Sequence, residues 1–302
     1  MPTPARTLAN ALAATGTLAV AVAIALPMLG LTRSNTASHA ALLQARTVAL
    51  GIEAMAFDAG VYAPAFRTGP DGSITHHSAV LVAGGYADAA DFTSPLAPGG
   101  GAPAAGAHVA QVERLAFTVN GAIMPPEPLA YSGTDRHYRL VRHAAASPQS
   151  GARLVRRGDA IDPARTLLVT EWLVSDGYAA LAQGPTIMSH RPIVPFVGAT
   201  AGRSPEREPT SGAGTGAGDA PFAYPEVDDV FTDNARFGEA LTSRGATEIN
   251  AMGRSHVSGK GGGSAAVIML DGSARLATPR QSVEQRLWGE AFHAITGGRG
   301  VR

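Results

Sequence analysis

The chain opens on a long apolar stretch and then changes period twice. From Thr7 to Thr32 no residue is charged. At 1.5 Å per residue such a run of about 26 residues reaches roughly 39 Å, against about 30 Å of bilayer hydrocarbon. Leu8, Leu12, Leu18, Val20, Val22, Ile24, Leu26, Leu29 and Leu31 together favour insertion by about 3 to 5 kcal/mol, with Asn10, the threonines and Pro27 opposing. After Arg33 the pattern becomes one-sided. Ala37, Ala41, Leu42, Ala45, Val48, Ile52 and Met55 recur at three or four residues while Ser38, Gln44, Arg46 and Glu53 fall between, which predicts an amphipathic helix continuing to about Phe57. Asp58-Ala59-Gly60 ends it with Gly60 as C-cap glycine, and Pro64 blocks resumption.

Beyond Pro64 the period shortens toward strands. Ala79–Ala83, Leu115–Val119, Tyr138–Val141 and Thr166–Trp172 are short apolar or β-branched runs bounded by Gly, Pro and Asp. Ala265–Leu270 and Ser273–Ala277 flank Asp271-Gly272, a pair suited to a two-residue type I′ hairpin turn. Val283–Ile295, with Leu287, Trp288, Ala291 and Ile295 on one face, predicts a closing amphipathic helix. Ser94–Ala107 and Ala199–Ala220, rich in Ala, Gly, Pro and Ser, predict surface loops. The expected organisation is α+β: a leader over 1–6, a transmembrane helix over 7–32 and its amphipathic continuation over 33–58. A β-rich head over 59–198, a linker over 199–220 and a C-terminal subdomain over 221–302 follow.

Composition narrows the function classes. The 24 basic and 24 acidic residues cancel, so no global field draws in nucleic acid. Cysteine is absent, which removes disulfides, thiolate metal sites and thiol nucleophiles. The 36 glycines and 21 prolines favour a loop-rich body over a compact α/β enzyme. His76-His77 and His137 with His143 lack the helical spacing and neighbouring acid of a zinc site, which favours surface or loop histidines. His190, before Pro192, reads as a loop-fixing residue. Gly259-Lys260 fails the phosphate-loop spacing and lacks a following Ser or Thr, so no nucleotide is expected. No Gly-x-Ser-x-Gly elbow occurs. Asp228, Asp229 and Asp233, with Asn234, cluster oxygen donors as weak calcium candidates, with a solvated acidic loop the favoured reading. No cofactor, metal or catalytic residue is expected.

The order of these features resembles prepilin-like and pseudopilin-like proteins. Aligning Pro27 with that family's helix proline sets Ala5 on the glycine before its cleavage point, Arg6 on the following Phe, Thr7-Leu8 on Thr-Leu, and Asn10 on its Glu. Gly60-Val61-Tyr62-Ala63-Pro64 resembles the helix exit of the family. Val267–Gly272 resembles its processing-associated domain, in which a His precedes Asp-Gly by nine residues. Here fourteen residues separate His256 from Asp271, the excess matching the Gly259–Gly263 stretch, and Trp288-Gly289 resembles the tail.

The resemblance implies a non-catalytic, single-pass protein of a type II secretion or type IV pilus-like assembly in the bacterial inner membrane. Its N-terminus would be cytoplasmic and its head periplasmic or extracellular. The implied partners are membrane lipid and other pilin-like subunits through the N-terminal helix. Asn10 in place of the family's Glu keeps a hydrogen bond and loses the charge that pairs with a neighbouring amino terminus. Two alternatives stand beside this reading: a periplasmic or secreted binding module released by a signal peptidase that cuts near Ala40, and an envelope hydrolase on an unfamiliar fold.

Overall fold

The computed structural model describes residues 35–68, 73–104, 109–124, 154–173, 192–193, 219–221, 224–231, 248–256, 263–289 and 291–296. The chain divides into a unit over Met1–Ala40 and one over Ala41–Arg302. Of the first unit, only the helical residues 35–40 are described. The expected transmembrane segment 7–32 lies outside the described residues, as do Tyr138–Val141, His137, His143, His190 and Lys260.

Helix α1 runs Asn35–Ala59. It is long and apolar enough to cross a membrane, and nearly half of its most apolar part is buried within the protein. The predicted spacing places Ala41, Ala45, Val48, Ala49, Ile52, Met55 and Ala56 on one buried face. The chain leaves the helix through Gly60, whose φ of 73° is the left-handed conformation that the C-cap requires. Gly51 sits on the same face because a β-carbon there would come within 2.6 Å of the Tyr86 carbonyl oxygen. The 86–87 backbone crosses the helix at van der Waals range only over a glycine.

Short strands β1 (Phe66–Thr68) and β2 (Ile74–His76) form an antiparallel pair. Helix α2 (His77–Ala83) follows at once. It replaces the strand expected over Ala79–Ala83: a five-residue apolar run carries no period of its own, and the cap decides. His76 is that cap, accepting the Ser78 N–H on its ring, and Leu81 turns into the core. The Ser94–Ala107 stretch holds a short 3-10 turn and strand β3 (Ala102–Pro103). Next come β4 (Val109–Ala110), parallel to β2, and β5 (Arg114–Leu115), paired with β3.

The central sheet is antiparallel. Strands β6 (Phe117–Val119) and β7 (Leu167–Glu171) pair with Phe117 opposite Glu171. Beyond β8 (Asp219–Pro221), strand β9 (Ala265–Met269) lies against β7, and β10 (Ala274–Ala277) closes the edge in the order β10-β9-β7-β6. Two strands from 221–302 thus sit beside two from 59–198 in one sheet. Along β9 the side chains part with period two. Ala266 and Ile268, with Leu270 just past the strand, join the apolar layer containing α1, and Ala265, Val267 and Met269 join a second layer with Val283, Leu287 and Trp288.

The hairpin after β9 differs from the expected turn. Among described residues only Arg286 is a non-glycine with positive φ, so Asp271 does not adopt the left-handed conformation that a type I′ turn demands. Instead Gly272, at φ 79°, is the single left-handed residue of a three-residue loop. Gly272 N–H donates to the Met269 carbonyl at 2.9 Å, and Met269 N–H to that of Ser273 at 2.9 Å. One αL glycine after a type I turn supplies the twist.

The closing helix is also shorter than expected. Helix α3 covers Pro279–Glu284, capped reciprocally by Thr278 and Gln281. Arg286 at φ 52° and Gly289 at φ 102° then turn the backbone out of the helix. Strand β11 (Ala291–Thr296) pairs with β8 where helix was expected.

Candidate functional site

Among the described residues, the face of α1 opposite the core exposes three large apolar side chains. Leu43, Leu50 and Phe57 are 62%, 53% and 71% exposed, seven residues apart. Their inner-face neighbours are held in the core while these three are not, so the helix has two apolar faces. Its C-terminal half is fastened by polar contacts. The hydroxyl of Tyr62, from the Gly-x-Tyr-x-Pro exit, donates to Glu53 Oε1 at 2.5 Å. Arg157 Nε donates to Glu53 Oε2 at 3.0 Å, and its guanidinium lies 5.3 Å from the Phe57 ring centre. Burial, then the hydrogen bond to Glu53, raises the Tyr62 phenol well above its ordinary pKa. Tyr86 donates to Asp58 at 2.7 Å.

The Gly259–Gly263 stretch left the position of His256 open in the sequence, and the structure sets it at the end of β9 away from the Asp271 hairpin. His256 bridges to Ser264, immediately before that strand, and Asp271 lies past its far end. Nε2 of His256 is 3.0 Å from Glu171 Oε2, with side chains 1% and 2% exposed. The distance is that of a hydrogen bond but the ring N–H is not aligned with the oxygen, so the contact is electrostatic proximity rather than a formed bond. Glu171 Oε2 instead accepts the Ala266 N–H at 3.0 Å, and Thr170 Oγ1 donates to the Ala266 carbonyl at 3.1 Å. Two side chains thus satisfy the β9 backbone where the ladder ends. Gly253 allows the approach, since a β-carbon there would meet Glu171 Cβ at 2.8 Å. The pair is closed off from solvent and lies where residues 250–256 meet the sheet.

The other named residues are structural in their surroundings. Asp271 Oδ1 accepts the Ser273 N–H at 2.9 Å, and hydrogen bonds from the Ser273 side chain and backbone hold its carboxyl below the usual range. Trp288 is fully buried and donates its indole N–H to Ser282 Oγ at 2.9 Å. Tyr224 accepts the Trp288 N–H and donates to the Gly289 carbonyl. Asp228, exposed, meets Arg280 at 3.4 Å, and the Asp229 carbonyl accepts from Asn250. Among the described residues no group of three metal-ligating side chains forms. Asp233, Ala5, Arg6, Asn10 and Pro27 lie outside the described residues.

His76 and His77, expected at the surface, are both buried, with ring centres 3.9 Å apart. His77 Nδ1 donates to the Ala65 carbonyl at 3.1 Å, and burial holds its pKa down at about 4, so the ring is neutral at pH 7. Sequence reasoning also missed Asn120. Its amide donates to the carbonyls of Leu167 and Trp288, both at 2.9 Å, and its Oδ1 accepts the Ala122 N–H. No local signal marks a residue whose partners lie so far along the chain.

Comparison with protein-family models, with curated proteins and with solved structures finds no match to this chain.

Proposed function

We propose that this is a membrane-anchored, pseudopilin-like structural protein of a bacterial envelope assembly of the type II secretion or type IV pilus kind, and that it is not an enzyme. In this reading residues 7–32 cross the inner membrane once, with the N-terminus cytoplasmic and a pilin-like head in the periplasm or outside. Its partners are lipid and other pilin-like subunits, with no nucleic acid or nucleotide. Ala5, Arg6 and Asn10 are the positions where processing and assembly are decided.

One observation carries the reading. The helix that follows the uncharged run is built into the head, its inner face from Ala45 to Ala56 buried in one cluster with Phe117, Val119, Leu168 and Ile268. A helix packed into the head, rather than a flexible tether leading to it, supports the reading of this element as a stalk. Fractionation tests it. The full chain is expected in carbonate-washed inner membranes, and a chain lacking residues 7–32 in the soluble fraction with the same head spectrum. Recovery of the intact chain as soluble protein contradicts it.

A further inference from the structure

We propose that one buried water molecule is a built-in part of this fold, held between Glu171, His256 and Ser264 where the central sheet forks. Strand pairing sets the fork. As far as Thr170, β7 lies against β9, with Thr170 opposite Val267. Just past β7, Trp172 pairs instead with Met252, and Ser264, just ahead of β9, pairs with His256. Residues 252–256 therefore enter between the two strands as these part. Glu171 stands at the branch, its carbonyl accepting the Gly253 N–H at 2.7 Å and its Oε2 the Ala266 N–H at 3.0 Å.

Register puts the three side chains on one face. Glu171 lies opposite Phe117 and Ser264 precedes Ala266 by two residues, and both Phe117 and Ala266 belong to the apolar layer that contains α1. His256 is directly opposite Ser264, each N–H donating to the other's carbonyl at 2.9 Å, so its ring leaves the backbone on that same side. All three residues are buried. Yet Glu171 Oε1, both ring nitrogens of His256 and Ser264 Oγ have no hydrogen-bond partner. Polar atoms shut away from solvent are paired with protein or with ordered water, because leaving them bare is costly.

The chemistry of the three groups selects the guest. A carboxylate oxygen only accepts, a hydroxyl does both, and a neutral imidazole presents one donor and one acceptor. Water donates and accepts in several directions, and a polar site with two to four partners is where it stays buried. A metal ion fits less well. Among the described residues no third His, Asp or Glu joins Glu171 and His256, whereas a closed zinc site takes four ligands. Neither the site nor its guest depends on where the chain is anchored.

Oxygen-17 relaxation dispersion on the full chain detects waters that stay bound for longer than the protein takes to tumble. Ser264→Val replaces the hydroxyl with methyl groups that fill the site, and the variant is expected to hold one such water fewer than the parent. Equal signals from the two overturn the proposal. Should Ser264→Val fail to fold, a crystal structure of the parent full chain decides alone, and a solvent peak within hydrogen-bond reach of Glu171 Oε1, a His256 ring nitrogen and Ser264 Oγ is expected. Those side chains bonded directly to one another with no solvent between them overturn it. A stoichiometric metal ion in elemental analysis, with anomalous scattering at the site, overturns it as well.

Discussion

Glu171 on β7 and His256 ahead of β9 place a carboxylate oxygen and a ring nitrogen 3.0 Å apart in a site almost closed to solvent. The carboxylate also accepts the Ala266 N–H. Replacing Glu171 by Ala removes that acceptor and leaves a buried donor unpaired. A loss of about 2 to 4 kcal/mol is expected from urea unfolding. Glu171→Gln keeps an acceptor oxygen and is expected to lose less. If both variants unfold within about 0.5 kcal/mol of the parent, the pair does not stabilise the fold.

His77 makes stability depend on pH. Its folded pKa of about 4 lies below the unfolded value of 6.5, so between those values the unfolded chain binds the extra proton. Stability therefore falls as pH drops from about 6.5 to about 4 and the His77 contribution is flat below that, with a total on the order of 3 kcal/mol. Urea midpoints measured across this range should show the slope in the parent and a shallower one in His77→Gln. Equal slopes would assign the effect elsewhere.

Gly51 reverses the usual sign of a helix substitution. Ala in place of Gly inside a helix ordinarily gains about 1 kcal/mol. Here the new methyl would come within 2.6 Å of the Tyr86 carbonyl oxygen, and a backbone atom yields poorly. Gly51→Ala is expected to destabilise by about 1 to 3 kcal/mol, read as a lowered thermal midpoint. A raised midpoint would mean that the 86–87 backbone does not cross the helix so closely.

Gly272 is the single left-handed residue of the β9–β10 hairpin. Gly272→Ala is expected to cost about 1 to 2 kcal/mol and Gly272→Asn less, because Asn tolerates that conformation. Equal costs for the two would point to packing rather than backbone conformation.

The sequence was most readable where one periodicity ran long enough to have a single solution. Helix α1, its stop at Gly60 and strands β7, β9 and β10 follow from period and punctuation, as does the α+β class. Short runs misled where a nearby cap or turn decided. Ala79–Ala83 became helix once His76 capped it, and the expected helix over Val283–Ile295 broke at Arg286 and Gly289. His256 was legible as a distinctive residue, but its partner Glu171 lies 85 positions earlier. Sheet register brings those two together, and no local pattern encodes register between distant strands. The exposed Leu43, Leu50 and Phe57 needed the fold to tell which of two apolar faces the core takes.

Where the native polypeptide begins, and in which fraction it is found, tests the central claim most directly. Intact-mass and N-terminal analysis of the purified native protein is expected to give a chain starting at Met1 or Arg6, recovered from inner membrane with residues 7–32 present. A water-soluble chain starting near Ala41 would contradict the account.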